Sequence, residues 1–255
     1  MILTESWRAI FPARIIDRYD FAETRNAAAI LKATNLQALT DITKVLSEFR
    51  LTLDMLTTPG GSKTVIAKTL DEKFRELGWR EAKFDQEVIT RLTISRWINS
   101  QEPEYGEVRE TSNAYGGHKI DNVLGRAVVD VEWNPKDGNL DRDFNNYVSL
   151  YDAGLIDVGV ILTRSGAPLR QLVRSVIAEV KALNIADAPD SWKQRMQKLA
   201  DDPLGTTTTA NFDKLLTRLE RGDARGCPLL AIAITERTYD PPDDPLSGTT
   251  LVNRQ

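Results

Sequence analysis

Three acidic side chains fall close together in a stretch otherwise composed for strand: Asp121, Asp130 and Glu132. Apolar and β-branched residues bracket a Leu124-Gly125 pair, which predicts a hairpin of residues 118–123 and 126–133 about a two-residue turn. With that turn Val123 faces Arg126 and Asp121 faces Val128. Side chains alternate faces along a strand. Asp121, Val128, Asp130 and Glu132 therefore share one face, and Ile120, Val129 and Val131 share the other. Asp121 and Asp130 become diagonal cross-strand neighbours, at most roughly 7–8 Å apart. Carboxylates at that reach need a cation or a proton to coexist. Oxygen donors without His or Cys suit Mg²⁺, with Mn²⁺ as a substitute, better than Zn²⁺. The alternative is an exposed hairpin with three solvated acids, and a loop longer or shorter by one residue would turn Asp121 to the opposite face.

The flanking segments predict an α/β fold, a mixed central sheet flanked by helices. A short strand is expected near Ile15-Ile16 and a helix over residues 22–49, with Leu36, Leu39, Ile42, Leu46 and Phe49 as its apolar stripe. Ser62 is the expected cap of a second helix running to Leu77 and closed by Gly78. Residues 83–98 favour strand, and residues 99–117 read as a polar loop. A helix over 140–152 carries Leu140, Phe144, Tyr147, Val148 and Tyr151. A buried strand follows at 156–163, then a helix at 169–183 with Pro168 in its first turn, a polar stretch at 184–210, a helix at 212–220 and a final apolar strand at 228–235.

Composition narrows the classes. The 255 residues include 33 basic and 37 acidic side chains, a net charge of -4, which argues against a histone-like protein but leaves room for a local basic face. One cysteine, Cys227, and one histidine, His118, exclude disulfide frameworks and Cys- or His-rich metal sites. Cys227 opens an apolar strand and reads as a core thiol. The longest apolar runs fall far short of the ~18–20 residues of a membrane span, and the N-terminal residues lack a signal-peptide pattern, so a soluble, cytoplasmic protein is expected. Gly60-Gly61-Ser62-Lys63-Thr64 departs from the P-loop pattern, because Ser62 separates Gly from Lys, and nucleotide binding is rejected.

Asp121, eight intervening residues and then Asp130-Val131-Glu132 resemble the catalytic signature of PD-(D/E)XK nucleases. Glu132 stands where lysine is usual, a departure found in the BamHI and BglII group of type II restriction endonucleases. Further blocks are similar to that group: Tyr19-Asp20-Phe21-Ala22-Glu23, Gly61-Ser62-Lys63 with the helix ending at Trp79, Asp130 to Asn134, Asp157 to Thr163, Asn211 to Leu215 and the Cys227-Pro228 strand. The resemblance implies a restriction endonuclease-like nuclease core at about 62–183 plus 228–235 in a single domain over 1–239, while the prolines that follow Asp240 predict a flexible tail at 240–255. It implies metal ligation by Asp121, Asp130 and the Val131 carbonyl, with Glu132 ligating or positioning the attacking water. The implied reaction is Mg²⁺-dependent hydrolysis of double-stranded DNA to 5′-phosphate and 3′-hydroxyl ends, by a bacterial homodimer. The group often draws one acid from the helix before the hairpin. Glu72 is the candidate, with a surface acid beside Lys68 as the alternative reading. A nuclease of the same fold in repair or mobile-element processing, and a non-catalytic DNA-binding module, are the other classes compatible with this pattern.

For DNA contact, Thr208, Asn211, Lys214, Arg221 and Arg225 lie in a polar, basic segment, together with Arg218. Hydroxyls, amides and guanidinium groups bond phosphates and base edges, and a solvated helix-loop is the competing view. Lys63, Lys119 and Asn134 are further candidates, and His118 lies near enough in sequence to touch a phosphate.

Overall fold

The computed structural model describes residues 2–58, 64–97, 103–182, 190, 193–194, 197, 204 and 209–241. Its centre is three parallel strands. These are β4 (Ala127–Glu132), whose valines alternate with Asp130 and Glu132, and β5 (Val158–Arg164) and β6 (Leu229–Ile234), near-continuous apolar runs, the pattern of strands covered on both faces. Ala127 to Glu132 pair with Val158 to Thr163, and Gly159 to Arg164 pair with Leu229 to Ile234. β1 (Tyr19–Glu23) runs antiparallel to β6, with Tyr19 opposite Ile234. β3 (Pro103–Leu124) runs antiparallel to β4, and β2 (Arg80–Trp97) lies beyond it, giving the order β1-β6-β5-β4-β3-β2. The sheet is therefore mixed, as the sequence predicts.

Helices cover both faces of its centre. On one face Val129, Val131, Val160, Leu162, Leu230 and Ile232 join a single buried cluster. They pack there with residues of α3 (Ala27–Thr34), α4 (Leu36–Glu48), α6 (Val65–Glu76) and α8 (Ala167–Ala182). The short helices α1 (Trp7–Ile10), α2 (Ala13–Ile16) and α5 (Leu53–Thr57) complete that layer. On the other face lie α7 (Asp137–Asp152) and α9 (Phe212–Arg221), tied together by Arg218, whose guanidinium donates to both oxygens of Asp141 at 2.7 and 3.0 Å. No helix among the described residues is long and apolar enough to cross a membrane.

Several expectations change. Ile15-Ile16 lies in helix α2, not a strand, and the strand follows at Tyr19. The helix expected over 22–49 is two helices. Asn35 breaks it, accepting the Ala38 N–H at 3.0 Å as an N-cap, and Leu36 is exposed rather than part of the stripe. Thr64, not Ser62, caps α6, accepting the Ala67 N–H at 3.2 Å, while Ser62 lies outside the described residues. Gly78 follows that helix at φ 96, as expected.

Contacts divide the chain into two compact units, residues 1–81 with 121–255, and residues 82–120. The second unit is a ribbon of β2 and β3. Arg91 pairs with Glu110, Ser112 donates to Glu87 at 2.9 Å and the Phe84 and Tyr115 rings lie 6.4 Å apart. Residues 103–117, expected as loop, are strand. A ribbon exposed on both faces has no side to fill with apolar residues, so it lacks the alternation by which strands are read.

Candidate active site

The hairpin turns at Gly125-Arg126, one residue later than the sequence predicts. Leu124 pairs with Ala127, Val123 with Val128 and Asn122 with Val129. Gly125, at φ 58, thereby takes the first central position, where a type II′ hairpin wants its glycine. The shift moves the register by two places, so the faces are unchanged. Extending it by one pair sets Asp121 opposite Asp130 instead of diagonal to it.

Asp130 is 6% exposed, with one hydrogen bond to each carboxylate oxygen. Its Oδ1 accepts the Asp121 N–H at 2.8 Å and its Oδ2 accepts the Tyr147 hydroxyl at 2.7 Å. Burial, helped by the nearby Asp143 charge, pushes its carboxyl up to about 7. Glu132, on the same face, holds its proton far above the usual carboxylate range, through burial first and then the charges of Asp143, Asp130 and Asp121. Asp143 of α7 is likewise raised by burial, against the opposing pull of Arg142. Three carboxyl groups that all resist ionisation mark a place where negative charge accumulates without compensation.

Four further residues of the main unit hold this arrangement. Tyr147 lies across β5, its hydroxyl also reaching the Val160 carbonyl at 3.1 Å. A Cβ on Gly159 would stand 2.4 Å from the Tyr147 ring, so only glycine lets the phenol approach Asp130 from that side. Beneath the hairpin, Asn122 donates to the carboxylate of Asp71, at 2.7 Å, joining β3 to α6. Asp71 is therefore the inward acid of α6. Glu72 is exposed and sits 3.9 Å from Lys68, so the structure does not bring it to the hairpin acids.

A cavity of about 580 Å³ opens beside the acids, lined among others by Asp121, Val131, Glu132, Asn134, Lys136 and Arg142. Asn134 also accepts Arg164 Nε at 2.6 Å. The basic segment approaches from α9: Thr209 bridges to Lys136, and the Ala210 N–H donates to Pro135 at 2.8 Å. Asn211 is the N-cap of α9, accepting the Lys214 N–H at 3.2 Å. Arg221 is exposed and paired with Asp223, and Arg225 is exposed at φ 47. Lys63 and Thr208 lie outside the described residues, as does the His118 side chain. Lys119 is exposed in the ribbon. Cys227 is buried, its thiol pushed up to about 12, as a core residue should be.

The model of the family described as restriction endonuclease BglII/BglIII matches residues 19–234. The chain belongs to that family. It is accordingly a restriction endonuclease, a phosphodiester hydrolase that cuts double-stranded DNA at a specific sequence. No curated protein matches the chain.

The sequence of this restriction endonuclease did not mark Asp143 or Asn122, and it placed Tyr147 in the apolar stripe of its helix rather than at the site. A signal for Asp143 and Tyr147 is present: Asn139, Arg142, Asp143, Asn146 and Tyr147 fall at i, i+3, i+4, i+7 and i+8, a polar stripe beside the apolar one on α7. Asp143 and Asn146 are buried in spite of their chemistry.

Members of the family are typically metal-dependent. Among the described residues no group of three His, Cys, Asp or Glu stands in a geometry that could hold a metal ion as it is. The donors nevertheless fit one. They are all oxygens, Asp143 Oδ2 is buried with no hydrogen-bond donor, and each carboxylate oxygen of Asp130 retains a lone-pair site beyond its hydrogen bond.

Proposed function

We propose that this enzyme is a Mg²⁺-dependent type II restriction endonuclease acting as a homodimer on a two-fold symmetric DNA site, leaving 5′-phosphate and 3′-hydroxyl ends. The observation that most supports the active site is the hairpin register. It gathers Asp121, Asp130 and Glu132 on one face, with Asp121 and Glu132 at the wall of the cavity. Asp121, Asp130, Glu132 and the Val131 carbonyl would hold the ion, in the oxygen-only environment that Mg²⁺ prefers. When bound, the ion would polarise the scissile phosphate and ease ionisation of the attacking water.

The protein's own groups do the rest. Tyr147 and the Asp121 N–H fix the Asp130 carboxylate, so its oxygens keep their direction when the site fills. Glu132 would orient the water; with a cation offsetting the surrounding negative charge its carboxyl would ionise and could receive the water's proton. Lys136 and Arg142, on the cavity wall, meet the phosphate charge. α9 and the Thr209–Asn211 segment, held against Pro135 and Lys136, bring Lys214, Arg221 and Arg225 along the DNA backbone. A two-fold dimer places one such site on each strand of a palindrome.

Plasmid digestion tests this. Wild type with Mg²⁺ should give discrete bands, and Asp130→Asn should cut nothing while binding DNA normally in Ca²⁺. Smeared products would remove sequence specificity, and wild-type cutting by Asp130→Asn would remove the assigned site.

A further inference from the structure

We infer that Asp143 is a further oxygen ligand of the divalent-cation site, brought from α7 to the acids of the hairpin. This rests on the hairpin being the metal site. Asp143 is 5% exposed, and its two oxygens are treated unequally. Oδ1 takes both Arg142 contacts, Nε and Nη2, each at 3.2 Å. Oδ2 has no donor at all. A carboxylate oxygen so deeply buried and left unmatched forfeits its hydration with nothing in return, and buried charges are as a rule paired or metal-bound.

What faces Asp143 is mostly other acids. The Glu132 carboxyl lies within hydrogen-bonding reach, and Asp121 acts on Asp143 as a like charge. From its own helix come Arg142 and, one turn on, Tyr147, whose hydroxyl is already given to Asp130 and Val160. On that stripe Asn146, 3% exposed, also carries an oxygen, Oδ1, with no donor. Arg142 and Asn139, of the same stripe, line the cavity with Asp121 and Glu132. Two buried oxygens without donors on one helix face, set against a hairpin of acids, are what a hard cation and its hydration shell would satisfy. Six or more oxygens are the usual need of such ions, and the hairpin alone supplies only part of that number.

Mn²⁺ binding to the full-length enzyme without DNA, followed by electron paramagnetic resonance, tests this separately from cleavage. Asp143→Asn and Asp143→Ala should both weaken Mn²⁺ by at least the ~10–100-fold seen when even an outer-shell partner is lost. In EDTA both should melt no lower than wild type, because a buried charge set among like charges, with only Arg142 against it, has gone. Unchanged Mn²⁺ affinity in both variants, with Asp130→Asn unable to bind, would overturn the assignment and leave the hairpin site standing. Weakened binding accompanied by a lower melting temperature in EDTA would also overturn it, since Asp143 would then be supporting the helix. If Asp130→Asn binds Mn²⁺ as wild type does, the hairpin itself is not the metal site and both readings fall.

Discussion

Asp130→Asn should make the metal-free enzyme more stable at neutral pH, although it abolishes cutting. Folding lifts the Asp130 carboxyl from its ordinary value of 3.8 to about 7, chiefly by burial. The folded state therefore binds more protons than the unfolded one between those values, and its stability is lost as pH rises through that window. About three pH units at 1.36 kcal/mol each sets a ceiling of about 4 kcal/mol of destabilisation above pH 7. Asparagine carries no charge to desolvate. However, its NH₂ faces either the Asp121 N–H or the Tyr147 hydroxyl, and an unmatched buried donor costs about 1–3 kcal/mol. The net gain should be about 1–3 kcal/mol at pH 8, vanishing or reversing near pH 4.5, where wild-type Asp130 is protonated. Urea denaturation in EDTA across that range measures it directly. Glu132 and Asp143 titrate in the same direction in both proteins, and loss of the Asp130 charge also relieves Glu132, which adds to the gain. In saturating Ca²⁺ the order should invert, because a ligand at 100 times its Kd adds about 2.7 kcal/mol to the wild type alone. An Asp130→Asn enzyme less stable than wild type at pH 8 in EDTA would refute the reasoning, since it would mean the native carboxylate is well compensated without a metal.

Other outcomes follow from the same contacts. Tyr147→Phe removes the 2.7 Å bond to Asp130 and should slow cleavage ~10–100-fold with little change in DNA affinity, read from single-turnover kinetics. Gly159→Ala puts a Cβ into the Tyr147 ring, which should cost about 1–3 kcal/mol in thermal unfolding and depress cleavage further than stability; an alanine enzyme that cuts normally would show that Tyr147 need not lie against β5. Arg218→Ala loses the two bonds to Asp141 from a guanidinium that is 11% exposed, and should lower the melting temperature. Arg221→Ala, at an exposed position, should leave melting unchanged and flatten the salt dependence of DNA binding by about one unit. An unchanged slope would take Arg221 out of the DNA contact.

The hairpin was legible because its two faces have different chemistry. Val129 and Val131 belong to the core while Asp130 and Glu132 do not, and that parity survives the displaced turn. β5 and β6 were legible for the opposite reason, being apolar on both faces. The ribbon strand at residues 103–117 was not, since neither of its faces is committed to a core. Asp143 was hidden differently. An acid inside a helix reads as solvent-facing unless the partner for its face is known, and its partner, the hairpin, is fixed by tertiary packing. Asp71 and Glu72 show the same limit: adjacent acids on one helix, and only the packing of α6 against Asn122 tells which one turns inward.

The strand order also governs when this enzyme becomes dangerous to the cell that makes it. β6 sits between β5 and β1, so Tyr19 waits for Ile234 before it is paired. Closing so long a loop is entropically costly and slow, and contacts of this range are late ones. A nascent chain that has emerged as far as β5 already carries Asp121, Asp130 and Glu132, but β5 still lacks one neighbour and α9 has not been made. Without the strand that closes the sheet, the acids have no fixed surroundings. Fragments left by interrupted synthesis should therefore be inert toward the host genome, and cutting begins only once β6 has been inserted.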